Sequence, residues 1–406
     1  MTRPPPAPMI SVDEGKARIA ALINPVDTET VPLSAAGGRV LRAPVEARRN
    51  QPPFAASAMD GYAIRQADLV VGGQLDVIGE IAAGSHETRP IGPGQAMRIF
   101  TGAPMPDGAD YVLIQEDADR VTDAQGDRIT IRADHDTTPY VRPAGGDFAV
   151  GHRIASPQKL GPSEIGLIAA MNVPDVTVSR RPVVALIATG DELIWPGETP
   201  RKDQIVASNN FALKAMFDAQ GADARLLPIA GDTTSSLRAV FDLAADADLI
   251  VTMGGASVGD HDLVQTVATD RGLDLSFYKM AMRPGKPLMA GRMGDAVMIG
   301  LPGNPVSSIV CAHIFVKPAI DALLGLGFTP TPIQKVVLAR DIGPNGPREH
   351  YLRATVAPRD GILHCTPHAR QDSSLLSVLS ASNALMIRPA NDPAQTAGSE
   401  VAVTFL

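Results

Sequence analysis

Three groups of side chains in this sequence have the types and spacing to do chemistry on an anion. The first lies in residues 248–262, DLIVTMGGASVGDHD. An apolar run, Leu249-Ile250-Val251, breaks at Gly254, Gly255 and Gly259, and the carboxylates Asp260 and Asp262 follow. A short β-branched run suits a buried strand, and the text after it, DLVQTVATD, is helical. A strand that turns through glycines into a helix directs main-chain N–H groups at an anion. Two acids at the mouth of that turn add a place for a divalent cation. The second group is acidic: strand-like PVVALIATG ends at Asp191-Glu192, and ARLLPIAGD ends at Gly231-Asp232. Ligands of open α/β sheets bind at the carboxyl ends of the strands, so acids at three successive ends mark one edge of a sheet. The third group is cationic. FYKMAMRPGKPLMAG places Lys279, Arg283 and Lys286 within eight residues. Such a run is ordinarily a solvated turn, but beside an acidic cluster it is what a cation-bridged anionic substrate needs.

Two familiar readings of the glycine loop are checked directly. A P-loop needs Lys and a hydroxyl after its last glycine, whereas Asp260-His261 follow Gly259. Gly255-Ala256-Ser257-Val258-Gly259 does match the G-x-S-x-G nucleophile elbow. An elbow also needs an acid and then a histidine downstream. His313 sits in an apolar helical run, and His350, His364 and His368 lie in a separate β segment. Ser257 as a hydrolase nucleophile is kept as an alternative, as is a tight βα turn with no ligand.

Further polar positions fall in turns. QPPFAASAMDGYAI, residues 51–64, centres on Asp60-Gly61, a dipeptide that also makes a plain hairpin turn. Thr101 stands at a strand end in IFTGAP, and RPAGGD supplies Arg142 and Asp147 around a flexible turn. GLPGNPVSSIV is another strand-to-helix turn, its path set by Pro302 and Pro305.

The elements that must position these groups follow from the pattern. Ser11-Val12-Asp13-Glu14 is a capping box, predicting a helix to about Ile23. Residues 1–50 and 146–180 are expected to form one discontinuous N-terminal or linker domain. Residues 51–145 have short β-like runs and no helical period, predicting a small β domain. Residues 181–327 alternate strand and helix, predicting an α/β domain with a mainly parallel sheet; Gly221 ends one helix and Pro318 should kink another. From 328 to 406 the β pattern returns, predicting a small barrel or sandwich with a short helical insertion at 371–383.

Composition narrows the function class. At 406 residues, with 45% hydrophobic and 20% charged residues, the chain is a globular protein of two to four domains. A net charge of −8 argues against bulk nucleic-acid binding, so any anion site must be local. Two cysteines, Cys311 and Cys365, give neither a disulfide framework nor a CxxC metal site. MTRPPPAPMI lacks the apolar stretch of a signal peptide, and no run of 18 apolar residues supports a membrane span. A cytoplasmic location is expected.

Taken in order, PPFAASAMDGYA, IFTGAPMP, RPAGGD, ATGDEL, the Gly231-Asp232 turn, TMGGASVGDHD, KMAMRPGKP and GLPGNPVS resemble the molybdopterin molybdenumtransferases, the molybdenum-insertion family that includes the gephyrin E domain. The match covers most of the chain. It implies a multidomain α/β plus β fold, with a central three-layer α/β molybdopterin-binding domain, a small β domain and a C-terminal β-barrel-like domain. It also implies an elongated homodimer. The implied reaction takes adenylylated molybdopterin and molybdate, uses a divalent cation such as Mg2+, and releases AMP. Transient partners would be the molybdopterin adenylyltransferase and apo-molybdoenzymes.

The family pattern points to Asp60, Thr101, Glu192, Asp232, Lys279 and Arg283 as catalytic residues. Arg142, Asp147, Gly254, Gly255, Ser257, Gly259, Lys286, Pro302 and Pro305 would bind substrate, with Arg353 and Ser373 a looser match. Asp232 and Asp262 would serve the metal, with Asp260 open as the alternative to Asp262. Arg283 departs from members that carry Lys there, exchanging a compact ammonium for a planar fork. Because Asp60 is distant in sequence from Asp262, the site is expected to form between domains. The competing readings are a non-catalytic gephyrin-like scaffold, the Ser257 hydrolase, and a Mg2+-dependent nucleotide or pterin hydrolase sharing only the α/β domain.

Overall fold

The computed structural model describes residues 9–85, 89–254 and 263–406. They form two compact units: residues up to Glu29 with Gly38–Arg42 and Val178–Leu406 in one, and Thr30–Gly37 with Ala43–Thr177 in the other. The first helix, α1 (Val12–Leu22), starts where the capping box places it, the Ser11 hydroxyl accepting from the Glu14 N–H at 3.1 Å.

The unit containing Ala43–Thr177 is mostly strand: β1 (Ala56–Ser57), β2 (Gly61–Ile64), β3 (Gln74–Ile81), β4 (Gln95–Ile99), β5 (Tyr111–Ile114), β6 (Ala118–Asp123), β7 (Gly126–Ile131) and β8 (Val141–Arg142), with helix α2 (Pro162–Ala170) after them. Six of these form a sheet in the order β5-β2-β4-β3-β7-β6, antiparallel except for β3 with β4. Side chains alternate across a strand, so Tyr62 and Ile64 enter one core while Ala63 enters another with Ile99 and Val112. Both faces are covered, which is why β2 shows no polar alternation.

The other unit holds the α/β layers. In chain order these are β9 (Val183–Ala188), the short pair β10 (Leu193–Ile194) and β11 (Ile205–Val206), α3 (Asn209–Gln220), β12 (Asp223–Leu226), α4 (Thr234–Leu243), β13 (Leu249–Met253) and α5 (Leu263–Asp270). Then follow β14 (Leu273–Tyr278), β15 (Met282–Arg283), β16 (Met289–Met293), β17 (Ala296–Leu301), α6 (Pro305–Cys311) and α7 (Lys317–Leu323). The sheet order is β12-β9-β13-β17-β16-β14, with the first four strands parallel and β16 and β14 antiparallel. Val184, Leu186 and Ala188 pack beneath α3 and α6, while Ala185 and Ile187 pack beneath α4 and α5. The sheet is therefore covered on both faces and opens only at its ends. A π turn, Ala312–Val316, joins α6 to α7 just before Pro318, where the missing N–H interrupts the regular ladder. The stretch Pro305–Leu323 is long and apolar enough to cross a membrane, yet 89% of its 18-residue window is buried in the fold, the packing of a core helix.

The C-terminal strands β18 (Gln334–Leu338), β19 (Glu349–Arg359), β20 (Ile362–Pro367), β21 (Ala384–Arg388) and β22 (Glu400–Phe405) close into a five-stranded barrel, and α8 (Leu376–Ser380) is inserted before β21. β19 pairs with both β20 and β21, and the circuit closes through β18 and β22. β15 adds in parallel to β19, setting Arg283 directly opposite His350.

Candidate functional site

The parallel strands end at a cleft of about 810 Å³, within the size of small-molecule sites. Its wall includes Glu192, Asp232, Gly254, Pro302 and Pro305, so five residues singled out from sequence meet in one place. The convergence is a consequence of parallel register. β9 pairs with β13 and β13 with β17, so the segments after Ala188, Met253 and Leu301 leave the sheet side by side. The Thr189 N–H donates to the Met253 carbonyl at 3.0 Å, and the Gly190 N–H to the Ala230 carbonyl at 3.1 Å.

The acids divide their work. The Asp191 carboxylate accepts from the Asp232 N–H at 3.0 Å, and the Ser236 hydroxyl from the Gly231 N–H at 2.9 Å. Asp191 is thus a brace of the Gly231-Asp232 turn. Glu192 and Asp232 face the cleft, and among the described residues no hydrogen bond or ion pair reaches either carboxylate. Also among the described residues, no group of three His, Cys, Asp or Glu side chains is gathered to hold a metal. Asp260 and Asp262 lie outside the described residues, as do Gly255, Ser257 and Gly259. Two carboxylates suit Mg2+, which keeps several waters and takes one or two acids together with substrate phosphate oxygens.

Backbone requirements shape the rim. Gly254 has φ +97°, and a Cβ there would stand 2.7 Å from the Thr189 carbonyl oxygen, so the turn out of β13 demands glycine. At the start of α6 the Asn209 Nδ2 donates to the Gly303 carbonyl at 2.7 Å and the Ser308 hydroxyl donates to the Pro302 carbonyl. These bonds hold the Pro302–Pro305 turn against α3.

One wall residue was not foreseen from sequence. Asn210 lines the cleft and is 1% exposed, on the same helix face as the core residues Leu213 and Phe217. Neither its Oδ1 nor its Nδ2 has a partner among the described residues. Leaving a buried polar group unpaired costs about 1–3 kcal/mol. The signal was available in principle: a polar residue at the i position of an i, i+3, i+7 apolar stripe.

The cationic segment is placed differently. Among the described residues, the wall of the cleft includes Pro287 but not Lys279, Arg283 or Lys286. Lys279 has φ +84°, a conformation uncommon outside glycine, and is pinned there on both sides. Its N–H donates to the Leu288 carbonyl at 2.9 Å, and its own carbonyl accepts from the Ile10 N–H at 3.3 Å. Its Nζ lies 5.3 Å from the centre of the Tyr278 ring. Lys286 is exposed.

Arg283 instead joins a positive cluster on the barrel. His350 lies opposite Arg283 on one side and Arg388 on the other, with Arg348 just before the strand. Burial first, then repulsion from Arg283, Arg353, Arg348 and Arg388, pushes the His350 imidazole down to about 4. Its Nε2 has no partner among the described residues. Arg388 is neutralised by an ion pair with Asp392. Arg353 is not neutralised: it is fully buried, its Nη2 donates to the Asp372 carbonyl at 3.1 Å, and its Nε and Nη1 have no partner among the described residues. Burial and then Arg283 lower its pKa to about 10, only partly opposed by Asp372. Ser373, next in the chain after Asp372, accepts through its carbonyl from the Val306 N–H at 3.1 Å. Arg353 is therefore tied, through Asp372-Ser373 and Val306, to the Pro305 rim of the cleft.

In the other unit, the Asp60 carboxylate accepts from the Thr101 N–H and hydroxyl, both at 2.8 Å. These bonds, the main-chain one first, and then the Arg98 charge lower the Asp60 pKa. β1 pairs with β8, placing Arg142 opposite Ala56, and the Gly102 N–H donates to the Ser57 carbonyl at 2.9 Å. The Asp147 N–H donates to the Gln51 carbonyl at 2.9 Å. Asp60-Gly61 is therefore more than a plain hairpin turn: its carboxylate binds the Thr101 turn, just after the strand that pairs with the Arg142 strand.

Family models match nearly the whole chain: the MoeA N-terminal region (domain I and II) over residues 10–172, the probable molybdopterin binding domain over 185–322, and the MoeA C-terminal region (domain IV) over 335–406. The chain is 35% identical to the molybdopterin molybdenumtransferase of Nostoc sp. over 393 residues, covering 94% of this chain and 89% of that protein. It is 34% identical to molybdopterin molybdenumtransferase 2 of Mycobacterium tuberculosis, covering 97% and 99%. Among solved structures, the molybdopterin biosynthesis moeA protein of Pyrococcus horikoshii OT3 superposes with a TM-score of 0.82 at 27% identity, covering 98% of this chain and all of that one.

Proposed function

The chain belongs to the molybdopterin molybdenumtransferase family, transferases of molybdenum cofactor biosynthesis, and from that premise we propose that it inserts molybdenum from molybdate into adenylylated molybdopterin with Mg2+-dependent release of AMP. The observation that supports this reading most directly is Arg353. A fully buried guanidinium with two nitrogens unpartnered among the described residues, beside Arg283 and tied to the rim of the cleft, calls for an oxyanion. Molybdate is a tetrahedral dianion of the right kind. Arg353 donates to it through Nε and Nη1, Arg283 adds charge from the neighbouring strand, and Ser373 closes the turn on the cleft side.

Glu192 and Asp232 would hold Mg2+, together with Asp262 or Asp260. The ion supplies charge neutralisation on the phosphoryl oxygens, which favours phosphoanhydride cleavage. Asp191 keeps the Asp232 turn in place. Asp60, whose pKa the Thr101 bonds lower, is kept as a catalytic carboxylate carried by the other unit.

The test is incubation of the purified chain with adenylylated molybdopterin, Mg2+ and molybdate, followed by assay of AMP and activation of an apo-molybdoenzyme. AMP release that depends on molybdate, with activation, is the expected result. Absence of both under saturating substrate overturns the assignment and leaves a scaffold role.

A further inference from the structure

Asn210 is buried with neither amide atom partnered among the described residues. It stands on the core-facing side of α3, where Leu213 and Phe217 supply packing, and an apolar side chain there would leave no polar atom unpaired. It also lines the cleft at the level where α3 begins.

The chemistry of the unpaired atoms selects the ligand group. An amide presents one donor, Nδ2, and one acceptor, Oδ1, in a single plane. The pyrophosphate linkage of an adenylylated ligand accepts from Nδ2 but has no proton to give Oδ1, so it satisfies half of the group. A nitrogen heterocycle with an acceptor beside an N–H donor satisfies both at once, as adenine does for asparagine in base recognition. Pterins and purines share that edge.

We propose that Asn210 orients the heterocyclic ring of the ligand in the cleft, its Nδ2 donating to a ring acceptor while its Oδ1 accepts from the adjacent N–H donor, in the ring or on its amino group. The inference rests on the reading of the cleft as the substrate site, and that substrate carries two such rings. Asn210 is a positioning and specificity residue: it touches the ring and takes no part in bond breaking.

The test uses the full-length protein, with calorimetric titration of AMP, IMP, molybdopterin and inorganic phosphate into wild type and Asn210→Ala, and thermal melts of both without ligand. Asn210→Ala is expected to melt at or above the wild-type temperature, because no bond among the described residues is lost. Its affinity for AMP or for molybdopterin should fall about tenfold to a hundredfold, the loss of a bidentate contact, with inorganic phosphate unaffected. A fall for only one of the two identifies the ring. If the ring is adenine, wild type should prefer AMP over IMP, which carries oxygen in place of the amino donor, and the variant should lose that preference. Unchanged affinities overturn the inference. So does a lowered melting temperature with the ring preference intact, which would make Asn210 a structural residue, and so does an equal loss for inorganic phosphate. A wild type that binds neither AMP nor molybdopterin sinks the reading of the cleft itself, a different outcome from a variant that binds like wild type.

Discussion

Replacing Arg353 by methionine should raise or leave unchanged the stability of the free protein while abolishing its response to molybdate. The guanidinium is fully buried, and its pKa falls from the usual arginine value to about 10 through burial and the Arg283 charge. A depression of that size corresponds to about 3 kcal/mol working against the charged form in the fold at neutral pH. Against this stands one charged hydrogen bond, Nη2 to the Asp372 carbonyl, worth about 1.5–3 kcal/mol. Methionine keeps most of the stem volume and carries no unpaired nitrogen. The net change is then between zero and about 1.5 kcal/mol in favour of the variant. Molybdate at a hundred times its Kd should stabilise the wild type by about 2.7 kcal/mol and the variant not at all. Urea unfolding with and without molybdate reads both effects, and Arg353→Lys should fall between, since an ammonium lacks the fork. A variant less stable than wild type by more than about 1 kcal/mol would show that the charge is already compensated in the fold. Equal molybdate stabilisation in both proteins would remove Arg353 from the oxyanion site.

Four further outcomes are expected. Glu192→Gln and Asp232→Asn should each reduce AMP release by at least about a hundredfold with no loss of melting temperature, because neither carboxylate has a bond to lose among the described residues; retained turnover at saturating Mg2+ would refute their role. Asp60→Ala should lose turnover, and a variant at full rate removes Asp60 from the scheme. Acid should destabilise the protein between pH 6.5 and 4. His313 and His350 are both lowered to about 4, chiefly by burial, so the unfolded chain binds protons that the fold refuses, and up to about 3 kcal/mol of stability per histidine is present above pH 6.5 and lost as the pH falls to 4. Urea midpoints at pH 7.5 and 5 measure this, and His313→Gln should flatten the dependence. Gly285→Ala should cost more than about 2 kcal/mol, because Gly285 has φ +113° and a Cβ there would lie 2.4 Å from the Cys311 sulfur; an unchanged unfolding midpoint would contradict that packing.

Periodicity, capping and turn chemistry were sufficient for the layers of this protein. Alternating strand and helix text over 181–327 led to a mainly parallel sheet, and strand ends in such a sheet must come out on one edge, so the meeting of Glu192, Asp232, Gly254, Pro302 and Pro305 was legible before any coordinates. The Ser11 cap, the left-handed Gly221 at the end of α3 and the interruption before Pro318 are equally local. Long-range pairing was beyond such reading. Nothing near Arg283 in sequence announces that β15 joins the barrel beside His350, nor that Arg353 loses all contact with water. Asp191 and Glu192 are neighbours with the same carboxylate, and only the fold turns one into a brace and the other toward the cleft. Whether a polar atom is satisfied depends on every segment packed around it, and those segments come from distant parts of the chain. The residue types could therefore declare an anion chemistry, while tertiary packing alone decided which of them hold a partner and which still await one.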